Sequence, residues 1–159
     1  MLRPLLALTL VLALAACGRE PAFPDRVARV ELGGRTTTYT LDSCGLDGQT
    51  AFLVGRADDG SVLQAVVGVE GDGETGVPES TGITVIDGDV AAWSAFGDES
   101  WARRGESGEA PGSIDSARIR GARIQAGGEA VPVDEDERPT GGTVVGISLD
   151  ARCDAEAGG

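Results

Sequence analysis

The chain has 159 residues, with 13 cations against 26 carboxylates and a formal net charge of −13. Every cation is arginine, and histidine, lysine and asparagine are absent. A surface this negative is repelled by nucleic acid and by anionic lipid. A chain with neither His nor Lys also lacks the commonest general base and the Schiff-base amine.

The N-terminus carries one early cation, Arg3, and an apolar run from Leu5 to Ala16, closing in Leu14-Ala15-Ala16-Cys17. A charged start, a short apolar core and small residues before the cut are the layout of a secretory signal. A cut before cysteine is the bacterial lipoprotein pattern. The run is too short to span a bilayer, which takes about 20 apolar residues. Residues 1–16 therefore read as a lipoprotein signal peptide. Residues 17–25 read as a lipidated tether starting at the acylated Cys17, and residues 26–159 as one β-domain. Cys17 implies a membrane partner through its acyl chains, and two or three such chains anchor stably. The implied location is the cell envelope, on the outer face of the cell membrane, or the outer membrane where a cell has two.

After the tether, period-two patterns dominate. Ala28, Val30 and Leu32 share a face, Gly33-Gly34 offers a tight turn, and Thr36 to Leu41 resumes the extended, β-branched style. Thr50 to Gly55 reads as a central strand, and Leu63, Ala65, Val67 and Val69 alternate cleanly. Further strands are predicted at Ile83 to Ile86, Val90 to Phe96 and Ala117 to Ile124, with Val131 to Asp134 pairing back across Gly127-Gly128. Val145, Ile147, Leu149 and Cys153 have one parity, so the cysteine points where the apolar residues point. Three segments read as loops: Gly71 to Pro78, Gly97 to Asp115 and Asp134 to Gly142. No segment keeps a helical period, so the fold class is all-β: a single antiparallel β-sandwich or barrel-like domain.

With Cys17 committed to lipid, Cys44 and Cys153 remain as a pair. Outside the cytoplasm such a pair forms a disulfide. A metal site would need more nitrogen or sulfur ligands than this chain offers, so no metal ligands and no cofactor are assigned.

No catalytic residue is assigned either. Ser43 and Ser148 have no activating neighbour in the sequence. A carboxylate pair among Asp87, Asp89, Asp98 and Glu99 would suit glycoside hydrolysis, but Asp87-Gly88-Asp89 reads more simply as a turn. Asp72-Gly73-Glu74 and Asp134 to Glu137 hold oxygen donors for calcium, without the alternating spacing of an EF-hand loop. Arg118, Arg120 and Arg123 fall on one predicted strand, either an anion-binding stripe or a solvated edge. Trp93 reads as buried. Trp101, among charged neighbours and beside Arg103 and Arg104, is the exposed candidate for contact with a protein or glycan partner. The expectation is a lipid-anchored, non-enzymatic binding or interaction module. The alternative is an envelope enzyme or small-ligand carrier using carboxylates or a calcium-binding acidic loop.

The box ending at Cys17, the short tether, the hairpin around Val30 to Leu41 leading into Cys44, and the terminal strand Thr143 to Leu149 ending in Cys153 form a recognisable layout. It resembles the LpqH-type lipoprotein antigens of mycobacteria and related actinobacteria. Three features depart from that family: the tether is shorter than its Ser/Thr-rich one, the tryptophans are not its pattern, and the chain is more acidic. The resemblance implies an envelope-anchored, disulfide-closed surface protein without enzymatic activity.

Overall fold

The computed structural model describes residues 23–154, except Gly48, Asp72, Glu74, Asp89, Val90 and Ser107. The signal peptide, Cys17 and most of the tether lie outside the described residues. The strands are β1 (Val27–Leu32), β2 (Arg35–Asp47), β3 (Thr50–Arg56), β4 (Val62–Val69), β5 (Gly76–Asp87), β6 (Ala91–Phe96), β7 (Ser113–Arg120), β8 (Arg123–Val133) and β9 (Val145–Arg152); one short helix, α1 (Asp98–Arg103), separates β6 from β7.

All pairings are antiparallel, in the order β6-β5-β4-β3-β2-β1-β9-β8-β7. The sheet then closes on itself where β6 meets β8 through Ala92–Val133, Trp93–Pro132 and Ser94–Val131. The result is a closed eight-stranded barrel with β7 as an extra strand on its outside. Closure removes the open edges that an all-β sheet otherwise exposes. Among the described residues every strand pairing lies between Val27 and Arg152, and these pairings alone close the barrel.

The alternation read from sequence sets which side chains face inward. Ala28, Val30, Tyr39, Leu41, Leu53, Leu63, Ile83, Leu149 and their neighbours fill the interior, as an eight-stranded barrel has room for side chains and little else. β2 keeps this pattern across a bulge between Leu41 and Ser43. The extra residue reverses the parity of the rest of the strand, so Cys44 also turns toward the core.

The antiparallel course defines two ends. At one, the base, lie the start of β1, the β2–β3 and β7–β8 turns, α1 and Cys153. At the other, the mouth, lie the Gly33-Gly34 turn, the β3–β4 and β5–β6 turns and the β8–β9 connection.

Several predicted boundaries differ from those observed. Ala117 to Ile124 is not one strand: the chain turns at Gly121-Ala122, with Gly121 at φ +54°. Conversely, Gly127-Gly128 is not a turn but lies within β8. A Cβ on Gly128 would sit 2.0 Å from the Ser113 carbonyl oxygen, so glycine there serves the close approach of β7. β5 begins at Gly76, inside the predicted acidic loop. Its pairing with β4 slips between Val66 and Gly68, in the region of Pro78, which has no N–H for the ladder. The buried Thr81 hydroxyl supplies the missing bonds, accepting from the Gly68 amide (3.2 Å) and donating to the Val77 carbonyl (2.8 Å).

Candidate functional site

Cys44 and Cys153 form a disulfide at the base, with Cα atoms 5.4 Å apart. β2 and β9 flank β1 on opposite sides, so they are not neighbours in the ladder. Just before β1, Arg26 still bridges the two strands, its amide donating to the Arg152 carbonyl (2.8 Å) and its carbonyl accepting from the Leu41 amide (2.9 Å). Next to it the disulfide joins β2 to the end of β9 directly. The Arg26 side chain reinforces the join by donating to the carbonyls of Leu41 (2.9 Å) and Asp42 (2.7 Å). The disulfide marks an extracytoplasmic protein.

Of the predicted partner-binding trio, Arg103 and Arg104 are exposed, but Trp101 is not on the surface. Trp101 is only 5% exposed and packs against Phe96, ring centroids 5.5 Å apart. It sits on α1, whose first amide bond runs from Trp101 N to the Gly97 carbonyl. The charged neighbours that suggested exposure, Asp98, Glu99, Arg103 and Arg104, are exposed while Ser100 and Trp101 are buried, as helical geometry separates faces that are adjacent in sequence. Arg103 donates to the Ser80 hydroxyl (3.0 Å) and to Glu99 (3.3 Å). Arg104 pairs with Glu137 and stacks over Phe96 at 5.2 Å. All three residues therefore fasten α1 and the β8–β9 connection to the outside of β5 and β6.

That fastening contains a group the sequence did not signal. The Ser80 hydroxyl donates to Glu99 at 2.5 Å while accepting from Arg103. A serine beside a carboxylate invites a nucleophile-and-base reading. The arginine bond on the same hydroxyl oxygen withdraws the lone-pair density that attack would use, and the arrangement acts as a clasp.

The remaining candidates disperse. Asp87 is at the mouth and pairs with Arg35, whereas Asp98 and Glu99 are at the base, so Asp87 is at the opposite end of the barrel from both. Asp134 accepts from the amides of Asp136 and Arg138, both at 2.9 Å, and Asp136 pairs with Arg138. Among the described residues no group of three or more His, Cys, Asp or Glu is placed to hold a metal. Asp72, Glu74 and Asp89 lie outside the described residues. The arginine stripe is split by the turn: Arg118 and Arg120 lie on β7, with Arg120 exposed, while Arg123 on β8 makes a two-pronged pair with Asp150 at 2.9 and 2.7 Å.

Among the described residues, one concavity opens at the mouth of the barrel. Inward-facing Val30 and Leu32 (β1), Tyr39 (β2), Val85 (β5), Trp93 (β6) and Val145 (β9) line a cavity of about 170 Å³. Trp101, expected on the surface, is buried, while Trp93, expected in the core, packs against it half-buried with one side against the cavity. Arg35 reaches over the opening, its guanidinium 3.4 Å from Asp87 and 3.8 Å from Asp59. Below it the Ser61 hydroxyl bridges the Tyr39 hydroxyl (3.3 Å) and Asp59 (2.6 Å). The Ser61 hydroxyl and amide hold the Asp59 carboxyl below its ordinary value. Burial pushes the Tyr39 phenol above its ordinary value, against the opposing hydrogen bond from Ser61.

Tyr39 is the only tyrosine, and the chain has no lysine. Its folded pKa is raised, so the unfolded chain gives up the phenolic proton first as pH climbs. Stability is thus intact below about pH 10 and falls as pH rises from there through the folded value. Urea midpoints measured from about pH 9 to about pH 11.5 are expected to show that decline, and Tyr39→Phe is expected to flatten it.

Compared with known proteins, the chain matches no family model and no curated sequence. The geometry alone carries the functional reading.

Proposed function

We propose that this chain is a lipid-anchored, non-enzymatic binding module of the cell envelope, held through acylated Cys17 and presenting the barrel mouth away from the membrane. The observation that carries the reading is the position of the N-terminal segment. The chain reaches the domain at the base, where Phe23 packs under the guanidinium groups of Arg29 (4.9 Å) and Arg123 (5.7 Å). The mouth is at the opposite end. Six peptide steps separate Cys17 from Phe23, a reach of at most about 20 Å when fully extended. A lipid on Cys17 would therefore keep the base close to the bilayer and leave the mouth free. The short tether, the early hairpin running into a bridged cysteine and the bridged terminal strand support placing the chain beside the LpqH-type lipoproteins.

The test is chemical. Cys17→Ser is expected to leave an unprocessed precursor, and mass spectrometry of the wild-type N-terminus is expected to find diacylglycerol on Cys17. A soluble mature protein beginning at another residue would overturn the anchoring.

A further inference from the structure

We infer that the barrel mouth is a binding site for one compact, neutral, ring-sized apolar molecule, with Arg35 as a latch across its opening. This rests on the binding-module half of the reading above and is independent of the anchor.

Size comes first. At the mouth the inward positions of β1, β2, β5, β6 and β9 leave about 170 Å³ between Val30, Leu32, Tyr39, Val85, Trp93 and Val145. An apolar protein cavity of about 150 Å³ stays dry and takes up benzene. Val30, Leu32, Val85 and Val145 give it aliphatic walls and Trp93 and Tyr39 aromatic ones, with Thr37, Arg35 and Asp87 as its polar part, so a small hydrocarbon ring gains dispersion against most of the lining.

Charge decides the second property. The rim holds two carboxylates, Asp59 and Asp87, and one cation, Arg35, which already serves both acids. An anionic ligand would have to take Arg35 from them and leave two negative charges facing it. A cationic ligand would compete with Arg35 for its own partners. A neutral molecule disturbs neither, and the Tyr39 hydroxyl is already engaged by Ser61. The Arg35 side chain is 66% exposed and held by solvent-facing pairs. Such pairs are worth little and break readily, so the arginine can swing aside to admit a ligand and return over it.

The test uses residues 23–159, which hold every described strand, the disulfide and the described core, and lack Cys17, so its outcome does not depend on lipidation. Fluorobenzene, followed by 19F NMR, is expected to bind saturably with a millimolar or tighter dissociation constant. Benzoate, the same ring carrying a charge, is expected to bind at least about tenfold more weakly because its carboxylate would be desolvated beside two acids. Arg35→Ala is expected to keep fluorobenzene affinity within about threefold and to speed its release, since an open rim removes the latch but not the walls. Val85→Phe fills the cavity and is expected to abolish binding; an unchanged far-UV spectrum and cooperative melting show that the variant is folded. Absence of saturable fluorobenzene binding to the wild-type barrel overturns the proposal, as does tighter binding of benzoate or undiminished binding to a folded Val85→Phe variant. Leu32→Phe, on the opposite wall, repeats the filling test should Val85→Phe fail to fold.

Discussion

Replacing Cys44 or Cys153 with serine is expected to cost about 2–5 kcal/mol of folding stability, the range for losing a native disulfide from a small secreted domain. Two features push this case toward the upper part. The bridge spans a sequence separation of 109 residues, and a closed loop of that order restrains the unfolded chain by about 4.7 kcal/mol in the chain-entropy account. The bridge also joins β2 directly to the end of β9, two strands that share no ladder. Urea unfolding with and without reductant measures the loss. A midpoint unchanged by reduction, with the thiols shown to be free, would mean that Arg26 and the flanking ladders hold the base unaided.

Trp101→Ala is expected to cost about 3–5 kcal/mol, as truncating a buried tryptophan does elsewhere. The indole lies between α1 and Phe96, and Phe96 in turn lies over Gly82, where any Cβ would fall 2.3 Å from the ring. Removing the indole therefore loosens a stack of three elements: helix, β6 and β5. The Nε1–H is buried and has no hydrogen-bond partner among the described residues, and an orphaned buried donor carries a penalty of about 1–3 kcal/mol. Trp101→Phe relieves that penalty while keeping most of the ring, so it is expected to cost well under half as much as the alanine. Thermal melts of the two variants check the order, and equal losses would show that the indole body contributes little.

The strands and their inward faces were legible because a barrel wall imposes period two, which this chain keeps in β1, β3, much of β4 and β9. The disulfide was legible for the same reason: Cys153 shares the parity of Ile147 and Leu149. What stayed hidden involves residues whose meaning depends on a neighbour far away in sequence. Gly127-Gly128 has the composition of a turn, and only the Ser113 carbonyl pressing on Gly128 explains it. Gly121, a genuine turn, sits inside a run that otherwise alternates. Trp101 was misplaced because six residues of helix are too few to show a period, and because charges beside it on the helix say nothing of the face it turns inward. The mouth was invisible for a different reason. A cavity is the volume that side chains from five strands fail to occupy, and no single stretch of sequence contains it.

β1 pairs along its whole length with β9, Val27 opposite Arg152 and Leu32 opposite Ile147. The earliest strand of the domain thus waits for the latest. A chain emerging N-terminus first can assemble β1 to β6 as a curling ribbon, but one edge of that ribbon stays unpaired until the final strand arrives. Both seams, β1 with β9 and β6 with β8, depend on the last third of the chain. Folding must therefore finish in one late step after release of nearly the whole polypeptide, with the strand edges vulnerable to foreign pairing until then.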